Sequence, residues 1–321
     1  MSELPLVSIV TPCLNAADYL EQAIQSVLAQ DYPHIEYIVM DGGSTDDTVA
    51  ILRKYEGKLT WVSEPDRGQS DAINRGFLRS RGRIFAFLCA DDAYLPGAVS
   101  TAVRHLLANP DYGGVYGQAW LVDEQGNRLR PYPTRPFDAR RLQWECFICQ
   151  PAVFLWREIF AEAGMLDAQL HYGLDYDLWI RISQKHRLLQ LDAFLALCRM
   201  HARTKTLRSR REVYRENIRI VRRHFGYVPF RHIYGYACSL LDSRDGFFEP
   251  VRPSLAKYAL SFLLGCTVNR GQVLSFCREA VAEARGALQR RAWPQPPWRQ
   301  SKTRAGAQPR EAPMRGAGKR L

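Results

Sequence analysis

Arg83-Ile84-Phe85-Ala86-Phe87-Leu88-Cys89-Ala90-Asp91-Asp92 is a short apolar run that ends on two adjacent carboxylates. A run of this length, bounded by polar residues, reads as a buried strand. In open α/β sheets, ligands bind outside the carboxyl ends of the strands. An acidic pair at such an end suits a divalent cation carrying phosphates, because hard cations take oxygen ligands. The same pair can also form a solvated turn capping the helix after Pro96.

The surroundings of that run predict an α/β chain. Residues 6–95 repeat a short apolar run, a polar turn and an amphipathic segment. Val7-Ser8-Ile9-Val10 reads as a first strand, and Leu20, Ile24, Val27 and Leu28 follow at helical spacing within 18–30. A second strand over 35–40 ends at Asp41-Gly42-Gly43. Ser44 or Thr45 is placed to cap the next helix, with Asp46 and Asp47 in its first turn. Strands over 59–62 and 84–88 flank a helix over 71–79. Strands alternating with helices imply a mostly parallel sheet flanked by helices. Beyond residue 113, Asp123-Glu124-Gln125-Gly126-Asn127 reads as a hairpin turn between 114–122 and 128–132. Further strands are expected over 151–156 and 188–200, and helices over 174–183 and 212–225. The expected domains are 1–225 as the main unit, 226–291 as a helical extension and 292–321 as a disordered basic tail.

Charge and cysteine usage narrow the class. Of the net +11, the tail from 285 to 321 holds +9, from ten Lys or Arg against Glu311 alone. The remaining +2 over 284 residues argues against a nucleic-acid binder. The eight cysteines mostly sit in apolar runs and behave as small hydrophobes. Cys146-x-x-Cys149 lacks the second pair that a zinc ribbon needs. The chain enters a strand at once, so no signal peptide is expected. The late apolar stretch 258–268 has 11 residues, short of the ~20 that span a bilayer. A cytoplasmic protein is expected, either free or peripheral on the membrane face. Phe230, Tyr234, Tyr236, Phe247, Phe248, Tyr258, Phe262 and Phe276, followed by the basic tail, form a stretch that can dock on anionic lipid.

Four strand ends meet on one rim, and most carry Asp: Thr11-Pro12-Cys13-Leu14-Asn15, Asp41-Gly42-Gly43-Ser44-Thr45-Asp46, Glu64-Pro65-Asp66-Arg67-Gly68-Gln69-Ser70-Asp71 and Ala90-Asp91-Asp92. Crowded like charges are costly unless a cation or hydrogen-bond donors compensate them. Together with Ser8-Ile9-Val10 and Ala72-Ile73-Asn74-x-Gly76, these segments resemble family 2 glycosyltransferases of the GT-A fold. The resemblance runs in order from about 7 to 205.

The resemblance implies inverting transfer of a sugar from a nucleotide sugar, often UDP-linked, with Mg²⁺ or Mn²⁺. By position, Thr11 and Pro12 would line the nucleotide pocket, and Asp41 would accept a hydrogen bond from the base. Asp71 would border base and ribose, Asp91 would approach the ribose or sugar, and Asp92 would meet the metal. Asp41 and Asp71 can equally serve as helix caps. Asp175-Tyr176-Asp177-Leu178-Trp179 resembles the family's acidic helix start, with Leu174 where a Glu is usual. Asp175 is the expected base and Asp177 the reserve. His201 is the expected partner of Asp92 in holding the metal, since neutral imidazole is a common metal ligand. Arg203, Lys205 and Arg208 can neutralise a diphosphate. Gln150 and Trp156 lie on the expected acceptor side, with core packing the other reading of Trp156. The implied acceptor is a saccharide or lipid-linked glycan of cell-surface synthesis.

Other classes lack their signatures. No G-x-G-x-x-G follows the first strand, and no P-loop or G-x-S-x-G is present. Thr11 to Asn15 holds no Gly, Lys or Arg, unlike the phosphate loop of a nucleotidyltransferase. A nucleotide-sugar-binding or nucleotidyltransferase-like protein without sugar transfer is the alternative.

Overall fold

The computed structural model describes residues 4–242 and 254–289. Its first half alternates β1 (Val7–Cys13), α1 (Leu20–Leu28), β2 (Ile35–Asp41), α2 (Thr48–Lys54), β3 (Thr60–Ser63), α3 (Gln69–Arg79) and β4 (Ile84–Phe87). These strands pair in parallel in the order β3-β2-β1-β4. All four carboxyl ends therefore open on one rim.

Local chemistry accounts for this half. α1 buries Leu20, Ala23, Ile24 and Val27, the i, i+3, i+4, i+7 stripe of a surface helix. β1 is buried throughout, and its polar side chains find partners: Ser8 Oγ takes the Gly82 amide at 2.7 Å, and Thr11 pairs with Tyr37 Oη at 3.0 Å. Pro12 breaks no ladder bond. The β1–β4 pairing stops at Val10, so the missing N–H falls where β4 has ended. α2 begins at Thr48, later than the caps at Ser44 or Thr45 predict. Ser44 and Thr45 are used elsewhere: Ser44 Oγ takes the Asn15 amide at 2.7 Å, and Asn15 Oδ1 takes the Thr45 amide at 2.9 Å. Asp46 takes the Thr48 amide instead, at 3.0 Å.

The second half adds β5 (Ala93–Tyr94), α4 (Ala98–Ala108), β6 (Gly114–Val122), β7 (Arg128–Pro131), β8 (Val153–Trp156), α5 (Arg157–Glu162), α6 (Leu174–Ser183) and β9 (Leu188–Arg199). Here the sheet turns mixed, continuing as β4-β8-β6-β9-β5. β8 is antiparallel to β4 and β6, while β9 runs parallel to β6. The hairpin expected at Asp123 forms, with β7 antiparallel to β6 and Gly126 at φ 87°. Trp156 is core, with the Arg83 guanidinium 5.0 Å from its ring.

α7 (Lys205–Arg208), α8 (Arg210–Phe225), α9 (Phe230–Leu241), α10 (Leu255–Val268) and α11 (Val273–Gln289) complete the described chain. One apolar cluster runs from Ile9, Phe85 and Phe154 in the sheet through Trp179 to Phe230, Tyr234 and Phe276 in these helices. Each such side chain is worth roughly 1.5–3 kcal/mol when buried. Among the described residues, no helix is long and apolar enough to cross a membrane. The expected tail over 292–321, and Phe247 and Phe248, lie outside the described residues.

α3 sits so close to the sheet that Gly76 leaves no room for a methyl group. A Cβ there would lie 2.5 Å from Val10 Cγ1 and 3.1 Å from Met40 Cγ. Gly76→Ala is expected to lower stability by about 1–3 kcal/mol, because overpacking outweighs the gain in helix propensity. A urea midpoint equal to or above that of the parent would contradict this packing.

Candidate active site

A cleft of about 940 Å³ opens at the rim. Its walls include Pro12 and Asn15 after β1, Asp66 and Gln69 after β3, Cys89, Asp91 and Asp92 after β4, Asp175 on α6, and Arg199 and His201 at the end of β9. Of the residues expected from sequence, the fold brings Pro12, Asp91, Asp92, Asp175 and His201 together here. Thr11, Asp41, Asp71 and Asp177 do not line it.

Those four are held by neighbours. Asp41 is buried. It accepts from Ser63 Oγ at 2.6 Å and from the Ser44 amide at 3.1 Å, and it also holds the Ser44 hydroxyl. Asp71 takes the Arg67 guanidinium at 2.8 Å, which holds its carboxyl below the usual range. Asp177 accepts from Arg181 Nε at 2.7 Å and pairs with His224 Nε2 at 2.7 Å. Thr11 faces Tyr37 inside the sheet.

The acidic end of β4 is the electrostatic centre of the cleft. One oxygen or sulfur from each of Cys89, Asp91 and Asp92 lies within 4.8 Å of the others. Burial first, and the Asp91 charge second, push the Asp92 carboxyl well above the usual carboxylate range. The Arg199 amide opposes that push, donating to Asp92 Oδ1 at 2.9 Å. The Arg199 guanidinium is buried too. It donates to the carbonyls of Asp91, Asp123 and Glu124 at 2.9–3.1 Å and to the Gln22 side chain. Arg199 thus ties α1, the β6–β7 turn and β9 to the acidic pair.

His201 faces Asp91 rather than Asp92, with Nε2 3.1 Å from Asp91 Oδ2. Its Nδ1 accepts the Arg203 amide at 3.3 Å, which leaves the ring proton on Nε2, pointing at the carboxylate. The Cys89 thiol lies between two amides, Gln69 Nε2 at 3.1 Å and Gln150 Oε1 at 3.5 Å. Gln150 is thereby turned inward, since its own Nε2 donates to the Phe87 carbonyl at 2.6 Å. Two oxygen donors close together, one of them buried with too little compensating charge, fit a hard divalent cation.

Asp175 stands in a different environment. Burial pushes its carboxyl up to about 6, outweighing the backbone amides of Tyr176 and Asp175. The Tyr176 amide donates to it at 2.8 Å. Residues without a clear sequence signal complete the cleft. Asp66 packs so closely on Gly42 that a Cβ there would lie 2.6 Å from Asp66 Oδ2. Trp144 is 41% exposed at the mouth, near enough to solvent to meet a ligand. Arg199 did carry a signal, as a cation closing the apolar run over 188–200.

Comparison with known proteins agrees with this architecture. Residues 8–164 match the model of glycosyl transferase family 2. An uncharacterized glycosyltransferase of Mycobacterium tuberculosis (strain H37Rv) is 33% identical over 185 residues, covering 56% of this chain and 70% of that protein. One of Rickettsia prowazekii is 31% identical over 211 residues, covering 63% and 66%. A Rickettsia conorii relative is longer, and the matched part spans 34% of it. Staphylococcus aureus TarS 1-349 in complex with UDP has a TM-score of 0.56 at 15% identity, covering 88% of this chain and 92% of that one. A mannosyltransferase of Pyrobaculum calidifontis, in complex with GDP-Man and Mn²⁺, has a TM-score of 0.51 at 21% identity, covering 90% and 76%. At these identities the two structures speak for the fold, which is GT-A. With the relatives, the matched residues and the acidic rim in agreement, the chain belongs to glycosyl transferase family 2.

Proposed function

We propose that the chain moves a sugar from a nucleotide sugar, UDP-linked, to a hydroxyl of a saccharide or lipid-linked acceptor, with inversion at the anomeric carbon. The observation that carries this reading is that Asp175, raised toward neutrality, lines the same cleft as the Asp91 and Asp92 pair. Two acids in unlike environments can divide the work of base and charge holder. The UDP complex of the TarS neighbour supports the choice of donor, and the Mn²⁺ complex of the mannosyltransferase supports a cation. The catalytic unit in this reading is 1–225, with 226–291 as its extension.

In this mechanism Asp92 and Asp91 would hold Mg²⁺ or Mn²⁺, and His201 orients Asp91 through Nε2. The cation, when bound, stabilises the negative charge on the leaving nucleoside diphosphate by several kcal/mol. Pro12, Asp66 and Gln69 flank the nucleotide. Thr11, Asp41 and Asp71 brace those loops from behind through Tyr37, Ser44, Ser63 and Arg67. Lys205 and Arg208 line the cleft and add positive charge beside the phosphates. Asp175 takes the proton from the acceptor hydroxyl. That oxygen bonds to the anomeric carbon as the bond to the diphosphate oxygen breaks on the opposite face. A positioned base is worth about 10²–10⁴-fold.

Replacing Asp175 by Asn tests this reading through two opposite effects. Sugar transfer should fall about 10²–10⁴-fold. Stability should rise. The carboxyl is held above its unfolded value of 3.8, so ionising it weakens the fold progressively as pH rises through about 6. Asp175→Asn should therefore be more stable than the parent by about 1–3 kcal/mol at pH 7.5, with no difference below pH 4. In the parent, kcat should rise with pH through about 6. Undiminished transfer in the variant would remove Asp175 as the base. UDP binding by a parent that releases no UDP in the presence of acceptor would favour the nucleotide-sugar-binding alternative.

The extension supports a membrane contact. Leu255, Leu263 and Leu274 are 89%, 66% and 76% exposed, and Phe262 is exposed beside them. The exposed face of α10, formed by Leu255, Ala256, Ala259, Phe262, Leu263 and Thr267, carries no charge. Arg270 follows α10 in sequence, and residues 290–321 add nine Lys or Arg against Glu311. Apolar side chains beside a cationic segment suit an anionic lipid surface. The full chain should float with vesicles containing 30 mol% phosphatidylglycerol, and both Leu263→Asp and deletion of 290–321 should reduce this severalfold. No flotation, or equal binding to neutral vesicles, would contradict the contact. Self-association without flotation would give the face to a second copy of the chain.

A further inference from the structure

We infer that Glu216 is a positioning residue for transfer: from α8, its buried carboxylate holds the loop that delivers Asp175 to the cleft. This rests on the reading of Asp175 as the base. Glu216 is 2% exposed. Its Oε1 accepts the backbone amides of Tyr172 at 2.6 Å, Gly173 at 2.7 Å and His171 at 3.1 Å. Its Oε2 shares the His171 amide at 3.1 Å. The nearest cation among the described residues is Arg219 Nη2, 3.9 Å away on a side chain that is 69% exposed. Amides rather than a counter-ion therefore satisfy this charge, as three successive N–H groups can for an anion.

The loop so held is the entry to α6. Gly173 is the N-cap residue of that helix, makes no side-chain cap, and precedes Asp175 by two positions. Unsatisfied amides at a helix start favour negative charge. Glu216 supplies it from a separate helix, so the loop is pinned to α8 and not only to α6. A second contact repeats this grip one turn on, where His224 of α8 meets Asp177 of α6 at 2.7 Å. On the other side of the loop, Lys205 Nζ donates to the His171 carbonyl at 3.3 Å and to Gln69 Oε1 at 2.9 Å. Gln69 in turn reaches Cys89 Sγ at 3.1 Å, beside the acidic pair. The segment 205–216 thus spans from the donor end of the cleft to the loop that carries the base.

Packing alone does not call for an acid at this position. Glu216 is one of the buried positions of α8, together with Ile218, Ile220 and Val221. Taking a carboxylate out of water costs several kcal/mol unless hydrogen bonds compensate it. The compensation here comes wholly from the backbone of one loop. Loss of that hold frees Asp175 to shift, and a displacement of ~1 Å in a catalytic group can cost about 10²-fold in rate.

The test compares the parent with Glu216→Ala, Glu216→Gln and Gly173→Ala in three measurements: steady-state transfer, calorimetric binding of UDP with Mn²⁺, and thermal midpoint. Glu216→Ala should lose about 10²-fold in kcat, with donor KM and UDP affinity within about threefold of the parent. Glu216→Gln should recover part of kcat, because one oxygen still accepts the Tyr172 and Gly173 amides while its NH₂ opposes the His171 amide. Gly173→Ala leaves Glu216 intact but sets a Cβ 2.7 Å from Asn217 Oδ1 and Ile220 Cδ1, two side-chain ends on α8 that must move to admit it. It should lower kcat by less than Glu216→Ala does, and Glu216→Gln, which weakens only the hold on His171, decides the matter if Glu216→Ala does not fold. Folded variants with the parental kcat, or with kcat and UDP affinity falling together, would overturn the inference. A parent that transfers no sugar would instead overturn the proposed function on which it rests.

Discussion

The two carboxylates at the end of β4 set the terms for the rest of the cleft. Asp92 is buried beside Asp91, and both burial and that neighbour oppose its ionisation. The surrounding chain answers this cost with Arg199. Its amide serves Asp92, and its guanidinium draws the β6–β7 turn and α1 onto the same point. Removing the guanidinium would leave the carbonyls of Asp91, Asp123 and Glu124 without this donor, so Arg199 is as much a part of the fold as of the site. Among the described residues, Asp91 has His201 as its side-chain partner, at 3.1 Å. Among the described residues neither Asp91 nor Asp92 forms an ion pair with Lys or Arg, and two such oxygen donors side by side suit a divalent ion.

From that rim the chemistry divides by environment. Asp41, Asp71 and Asp177 have the same side chain as Asp92 and Asp175. Serine hydroxyls, Arg67, Arg181 and His224 take up the first three, so they brace loops and helices. Asp175 receives only local backbone amides among the described residues and lines the cleft. The parallel strands explain why these groups meet: β1 to β4 all deliver their carboxyl ends to one side. α6 and the β9 end then close the cleft from the second half of the chain.

Much of this was legible in the sequence, and the exceptions have physical reasons. The alternation of strand and helix over 6–95, and the turn at Asp123, follow from local periodicity and turn chemistry, and the structure contains both. The clustering of Pro12, Asp91, Asp92, Asp175 and His201 also followed, because each sits at the end of a strand or the start of a helix. Periodicity could not tell which acids would be taken up by side chains arriving from elsewhere. Asp41 meets Ser63 across 22 positions, and Asp177 meets His224 across 47. The start of α2 was misread because Ser44 and Thr45 bond to Asn15, a tertiary contact that competes with capping. Glu216 did leave a trace, as an acid three residues after Val213 and four before Ile220, at apolar-stripe spacing on a largely basic helix.

The most direct measurement is a thermal shift with UDP, with Mn²⁺ and with both, on the parent and on Asp92→Asn. Ligand bound only to the folded state raises stability by about 2.7 kcal/mol at a hundredfold excess over Kd. The account predicts a clear upward shift for the parent with UDP and Mn²⁺ together. It predicts little with UDP in chelator, and loss of the cooperative shift in Asp92→Asn. An equal UDP shift in chelator, or an unchanged Mn²⁺-dependent shift in the variant, would contradict the claim that the acidic end of β4 holds the cation that holds the nucleotide.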